Sequence, residues 1–230
     1  MEAINFRSYM LVTGGSGGIG SAVCKLLPEI GIVPIVGFNT NLAQATNLAK
    51  ELNTFSVRID MRKKESIEES IPTIVKQLKD SDIFMGAVLG ASSPPEVLSF
   101  LHTQSDHLLN QFQINVIGPQ LLLKALIKKF FRKKKIGTVI GILSEAIGSD
   151  HNLPTSGMSS YIVAKSGLKS MLSVCAAEFK WLKVRTVMPS FTRTKMLDVF
   201  DSRYLDLLDS QKKISTPEEV AKLIIKEIVS

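Results

Sequence analysis

Short apolar and β-branched runs alternate along the chain with longer segments whose apolar positions recur at helical spacing. The runs at 9–12, 32–38, 54–59, 83–89, 138–143 and 184–188 read as strands. The stretches at 18–30, 41–52, 64–79, 104–132, 159–181 and 217–229 read as helices. Nearly unbroken apolar strands alternating with helices predict a parallel sheet buried on both faces. The last helix carries its own start signals: Ser215 or Thr216 as the cap, then Pro217 in the first turn and Glu218-Glu219 near the positive end. No internal repeat, low-complexity segment or linker interrupts the pattern, so residues 1–230 read as one α/β domain.

Composition narrows this picture without changing it. A chain of 230 residues, 45% hydrophobic and 21% charged, is expected to be a soluble globular protein with a proper core. Cys24 and Cys175 lie far apart among apolar residues and read as reduced, packed thiols. His102, His107 and His151 show no metal-ligand spacing, so no metal is expected. No signal peptide or membrane-length apolar run is visible, and a cytoplasmic location with no membrane partner is the expectation. Part of the net charge of +7 is concentrated in Lys128, Lys129, Arg132, Lys133, Lys134 and Lys135. A helix C-terminus complementing its own dipole accounts for this run better than a nucleic-acid patch. No nucleic-acid partner is expected.

Two motifs carry chemistry. Strand one runs directly into Thr13-Gly14-Gly15-Ser16-Gly17-Gly18-Ile19-Gly20 and then a helix. Glycines let the backbone approach a pyrophosphate, and the helix N-terminus offers unpaired N–H groups. In a first βα unit this is the context of a dinucleotide fingerprint. The second motif is Tyr161 and Lys165, four apart on one helix face. An ammonium beside a phenol favours the phenolate, so Lys165 is expected to lower the Tyr161 pKa toward working pH. Such a tyrosine can exchange a proton with a carbonyl or alcohol oxygen.

Together with Asn115-Val116-Ile117-Gly118, Ser144 at the end of strand five, and Pro189-Ser190-Phe191-Thr192-Arg193-Thr194, these motifs resemble the short-chain dehydrogenase/reductase family. The likeness runs from about residue 8 to the last residue and includes the late helix start Pro217-Glu218-Glu219-Val220-Ala221. It implies a Rossmann-type doubly wound sheet with six parallel strands in the order 3-2-1-4-5-6, since the chain stops before the family's usual seventh strand. It also implies a catalytic set of Asn115, Ser144, Tyr161 and Lys165. Tyr161 would be the general acid/base, Ser144 would orient the carbonyl oxygen, and Asn115 would hold a water in the proton relay. Lys165 would tune Tyr161 and bind the nicotinamide ribose, and Tyr161 would itself also contact the cofactor. For the cofactor it implies the glycine loop from Thr13 to Gly20, Asn39 after strand two, and Asp60 with Met61 after strand three. Gly90, Ala91 and Ser92 after strand four, and Pro189, Ser190, Thr192 and Thr194 near the nicotinamide, complete that set. Asp60 also reads as a cap for the helix that follows.

The chain departs from the family in several places. Leu89-Gly90-Ala91-Ser92 stands where Asn-Asn-Ala-Gly is common, so a differently braced loop is expected. Ser144 and Tyr161 are 17 apart, slightly more than usual, because of the polar stretch 149–155, where His151 reads as a solvated loop residue. Strand two ends Gly37-Phe38-Asn39-Thr40-Asn41, with neither the acid that grips NAD nor an arginine for NADP. Absence of the repelling carboxylate favours NADP over NAD. Residues 191–213, with Phe191, Met196, Leu197, Phe200, Tyr204, Leu205 and Leu208, read as a mobile lid with an apolar face. The leading expectation is an NADP-preferring reductase of a small-molecule carbonyl or alcohol, similar to 3-oxoacyl carrier-protein reductases and acting on an acyl-carrier-linked substrate. The family pairs the long helices, here 104–132 and 159–181, in a homodimer or homotetramer. The alternatives are a non-catalytic dinucleotide-binding regulatory or scaffold protein, and a sugar-nucleotide-modifying enzyme.

Overall fold

The computed structural model of the chain describes residues 6–211 and 213–230. Six parallel strands form one sheet: β1 (Ser8–Thr13), β2 (Ile32–Phe38), β3 (Ser56–Arg58), β4 (Ile83–Leu89), β5 (Thr138–Ile142) and β6 (Lys183–Val187). Their order is β3-β2-β1-β4-β5-β6, as expected. Helices α1 (Gly18–Leu26), α2 (Leu42–Glu51) and α3 (Lys64–Gln77) follow the first three strands. Next come α4 (Ser105–Phe112), α5 (Gly118–Leu126) and α6 (Ser159–Glu178), then α7 (Ser202–Ser210) and α8 (Pro217–Val229).

The four central strands, β2, β1, β4 and β5, are buried on both faces because they have almost no polar side to offer water, while the edge strands β3 and β6 expose Arg58 and Arg185. One face carries Leu11, Ile35, Val139 and Leu89 against Ile67 and Ile74 of α3, Leu122 and Leu126 of α5, and Leu168 and Leu172 of α6. The other carries Met10, Val12, Val36 and Ile140 against Val23 of α1, Leu48 of α2, and Val220 and Ile224 of α8. Each such fully buried aliphatic side chain contributes about 1.5–3 kcal/mol of transfer free energy. The α8 start is as the sequence suggests: the Thr216 hydroxyl accepts from the Glu219 N–H, and the Glu219 carboxylate accepts from the Thr216 N–H.

Several element limits differ from expectation, each for a local reason. The first helix yields to a 3₁₀ turn over Leu27–Ile30, since Pro28 lacks an N–H to continue the α ladder, and Gly31 closes it at φ 74°. The segment 104–132 is not one regular helix. Two π turns, Gln113–Ile117 and Ile127–Phe131, interrupt it. In the first, Asn115 donates from Nδ2 to the Gln111 carbonyl at 3.0 Å, so a side chain enters the backbone ladder. The third strand starts late because Thr54 turns back, its N–H donating to Ala49 and its hydroxyl to Pro34. Residues 191–215 hold structure that apolar periodicity does not signal. The short strands β7 (Phe191–Thr192) and β8 (Ile214–Ser215) pair in parallel, and a 3₁₀ turn over Lys195–Val199 and α7 lie between them. Lys212, inside the stretch expected to be a lid, lies outside the described residues.

Candidate active site

The strand order reverses between β1 and β4, and the crevice beyond their carboxyl ends opens into one cavity of about 1640 Å³. Its floor is the glycine turn. Gly14 takes φ +68°, which an L side chain rarely adopts, and a Cβ there would sit 3.2 Å from the Gly90 and Ala91 backbone. Gly14, Ser16, Gly17, Gly18, Ile19 and Gly20 all face the cavity. Thr13 and Gly15, expected among the cofactor contacts, do not line it. Gly15 lies behind the turn, its N–H donating to the carbonyls of Val12 and Gly37. Thr13 is buried and serves as a brace. Its hydroxyl donates to the Val88 carbonyl at 3.3 Å and accepts from the N–H groups of Gly90 at 3.0 Å and Ala91 at 3.1 Å.

This is the different bracing that Leu89-Gly90-Ala91-Ser92 requires: a hydroxyl from β1 holds the β4 loop. Thr13→Val keeps the shape and removes all three bonds. It is expected to destabilise the fold by about 2–3 kcal/mol, a fall in Tm of roughly 5–10 °C for a chain of this size. Thermal unfolding by circular dichroism measures it, and an unchanged Tm would rule the brace out.

At the far end, Phe38, Asn39, Thr40, Ile59, Asp60, Met61 and Arg62 line the cavity. Asp60 does not cap α3, whose N-cap is Lys63. Its carboxylate instead accepts from the Arg62 N–H at 3.0 Å and from the guanidinium at 3.1 and 3.2 Å. Burial raises the Asp60 pKa, but hydrogen bonds and charge from Arg62 outweigh it and hold the carboxyl below its ordinary value. The Asn39 Oδ1 is buried with no hydrogen-bond partner. A buried acceptor left unmade is costly, and a ribose hydroxyl would satisfy it. The Ser93 Oγ on the cavity wall is likewise without a partner. The glycine floor, where a Cβ at Gly14, Gly17 or Gly20 would meet backbone, and the orphan acceptor at Asn39 fit a dinucleotide.

On the opposite wall, Ser144, Tyr161 and Lys165 come together from β5 and α6. Ser144 lies two residues beyond β5, caps the 3₁₀ turn Glu145–Ile147 by accepting from the Ala146 N–H at 3.2 Å, and favours the ionised form of the neighbouring Tyr161 phenol. Lys165 Nζ lies 5.6 Å from the Tyr161 ring centroid and donates to the Ile142 carbonyl at 3.0 Å. Burial pushes the Tyr161 phenol up to about 12, while Ser144 pulls it the other way. The expectation that Lys165 lowers this pKa is therefore not met in the protein on its own. Burial dominates the Tyr161 shift, and burial likewise brings Lys165 down to about 8.

Gly90, Ala91, Ser92, Pro189, Ser190, Thr192 and Thr194 line the cavity between these walls. Thr194 accepts from the Met196 N–H and so starts the 3₁₀ turn, while Ser190 hydrogen-bonds Ser215. Asn115 does not reach the cavity and touches it through Ser92, whose hydroxyl donates to the Asn115 Oδ1 at 2.9 Å. His151 stays off the lining, and its neighbours Ser149 and Asn152 contribute instead. Sequence reading missed Glu96, and Gln111 and Ser160, which both donate to its carboxylate beside the site, because no local spacing links the three. It also missed Arg62, for which the Asp60-x-Arg62 spacing was the available signal. Among the described residues no cluster of metal-ligating side chains occurs, and no helix is long and apolar enough to cross a membrane.

Comparison with known proteins agrees with the geometry. The family model described as short chain dehydrogenase matches residues 8–204. The chain is 30% identical to a 3-oxoacyl-[acyl-carrier-protein] reductase of Mus musculus over 190 residues, covering 80% of this chain and 75% of that one. It is 28% identical to carbonyl reductase family member 4 of Xenopus laevis, covering 93% and 88%. An actinorhodin polyketide ketoreductase variant with NADPH shares the fold at a TM-score of 0.82 and 18% identity, covering 96% of this chain and 90% of that chain. Family match, fold and site together make the chain an oxidoreductase of the short-chain dehydrogenase/reductase family, whose members bind NAD or NADP and act on small molecules.

Proposed function

We propose that the chain reduces the carbonyl of an apolar substrate at the expense of NADPH, with Tyr161 as proton donor. The convergence of Ser144, Tyr161 and Lys165 on the wall facing the glycine turn carries this reading. The glycine loop would hold the diphosphate, and Asn39, Asp60 and Met61 the adenosine end. Gly90, Ala91, Ser92, Lys165, Pro189, Ser190, Thr192 and Thr194 would hold the nicotinamide end. A nicotinamide bound there supplies the hydride. Negative charge then grows on the substrate oxygen, where Ser144 donates a hydrogen bond and Tyr161 gives its proton. The buried Lys165 cation stabilises the phenolate that results. Asn115 would order a water that returns a proton to Lys165.

Residues 191–213 would close over the substrate. Phe191, Phe200 and Tyr204 support an apolar or acyl-chain substrate: their ring centroids lie 5.4 to 6.0 Å apart and all three line the cavity. The acyl-carrier reductase relative supports an acyl thioester as the first substrate to try. An apolar groove between α5 and α6, lined by Leu123, Ile127, Met171 and Val174, supports a homodimer through those helices.

A panel of acyl thioesters and alicyclic and aromatic ketones, followed by nicotinamide absorbance, tests the reading. Turnover is expected with NADPH favoured over NADH by roughly tenfold, about 1.4 kcal/mol. Binding of NADPH without turnover of any panel member would replace this reading with the regulatory or scaffold one.

A further inference from the structure

Glu96 lies on the loop that follows β4, outside the residues given a role above. One of its carboxylate oxygens, Oε2, accepts two hydrogen bonds. The first comes from the Ser160 hydroxyl at 2.8 Å. The second comes from Gln111 Nε2 at 3.3 Å, and the same Nε2 also donates to the Pro94 carbonyl at 2.8 Å. Ser160 and Gln111 are buried, with 1% and 0% exposure, so water does not compete for these groups.

The chemistry of the acceptors fixes the direction of every bond that follows. A carboxylate and a carbonyl only accept, so the Gln111 amide must present its nitrogen to the loop. Its Oε1 then faces inward and accepts from Asn115 Nδ2 at 3.0 Å. The Asn115 Oδ1 is thereby turned to Ser92, whose hydroxyl must donate at 2.9 Å. The Ser92 proton is thus committed away from the cavity that Ser92 lines, and its oxygen is left there as an acceptor. The other arm ends at Ser160, the residue immediately before Tyr161 in the first turn of α6.

We infer that Glu96 is a positioning residue for the reaction: its carboxylate ties the β4 loop to the first turn of α6 and to Gln111, and so orients Tyr161 and the Asn115–Ser92 pair from outside the cavity. The inference rests on the proposed carbonyl reduction for its kinetic consequence, but not for its structural one. Without Glu96 the buried Ser160 hydroxyl has no partner, and the α6 turn must shift to find one. Tyr161 moves with it, and small misplacements of a reacting group are costly in rate.

The experiment compares Glu96→Ala, Glu96→Gln, Ser160→Ala and the double variant Glu96→Ala/Ser160→Ala. In Glu96→Ala, kcat is expected to fall roughly 10- to 100-fold with little change in NADPH affinity by fluorescence titration. Glu96→Gln keeps an acceptor oxygen at the same reach and is expected to restore most of the rate. The double variant removes both partners and is expected to lose less than the product of the single losses. Amide hydrogen exchange on the protein without substrate gives the activity-independent readout: Glu96→Ala is expected to speed exchange in residues 94–104 and 159–162. If kcat of Glu96→Ala stays within about threefold of wild type, or if rate and NADPH affinity fall together, the inference is wrong. If Glu96→Ala does not fold, Ser160→Ala and Glu96→Gln decide: a rate loss in the first and retention in the second support the tie, and any other pattern refutes it. Faster exchange in a protein that reduces nothing would leave the tie standing and overturn the proposed reaction instead.

Discussion

Tyr161→Phe is expected to lower kcat for carbonyl reduction by roughly 10²–10⁴-fold, the range for a lost general acid. NADPH affinity should be nearly unchanged, because the ring and its packing remain and only the oxygen is removed. Tyr161 is 7% exposed and packs with Ala146, Met158 and Ile162, so its position is fixed by neighbours that the substitution leaves in place. The phenol is held up to about 12 by burial, so it remains protonated across the working range and is a donor rather than a base when carbonyl is the substrate. Lys165, brought down to about 8 by the same burial, is charged below that pH and neutral above it. Its field favours phenolate only while it is charged. The sign follows: kcat/KM for reduction, which reports groups of the free enzyme, should fall as pH rises through about 8. A flat profile up to pH 10 would remove Lys165 from the step. Single-turnover reduction rates near those of wild type in Tyr161→Phe would remove Tyr161 from it.

Gly20→Ala should weaken NADPH binding about 10- to 100-fold, corresponding to the roughly 1–3 kcal/mol cost of an added methyl in a packed site. A Cβ at Gly20 would run into the Gly14 carbonyl oxygen and come within 2.9 Å of the Gly15 Cα. Neither side yields easily. α1 is anchored through fully buried Val23 and Cys24, and Gly15 is pinned by bonds to Val12 and Gly37. The turn must therefore open, and the N–H groups that would face a diphosphate spread apart. Fluorescence titration with NADPH measures the loss, and a Kd within about threefold of wild type would show that the turn adapts. Because the added methyl meets only the Gly14–Gly15 turn and none of Ser144, Tyr161 or Lys165, kcat at saturating NADPH should suffer much less than affinity.

The positions where expectation and structure part company share a cause. Thr13 reads from sequence as the first residue of a cofactor loop, yet its hydroxyl is taken up by Val88, Gly90 and Ala91, residues 75 to 78 places away. Asp60 reads as a helix cap, yet Arg62 claims both of its oxygens. Lys165 was expected to lower the Tyr161 pKa, because spacing reveals the neighbour but not the burial that opposes it. The two π turns in the segment 104–132 escape notice because apolar periodicity averages over a single extra residue.

The alternation of apolar runs and helical segments was enough to predict a parallel sheet covered by helices on both faces, and the strand order followed from the family resemblance. The glycine turn and the Tyr161–Lys165 pair were legible for a similar reason. Both are set by local backbone geometry, a few residues apart, which sequence spacing encodes directly. What the tertiary structure alone decided is how distant groups use one another's hydrogen-bonding capacity and how much water reaches them. Glu96, Gln111 and Ser160 come from three separate segments and bond only because the fold brings them together. The orphan acceptor at Asn39, the brace at Thr13 and the opposed pKa shifts of Tyr161 and Lys165 likewise depend on long-range packing and desolvation.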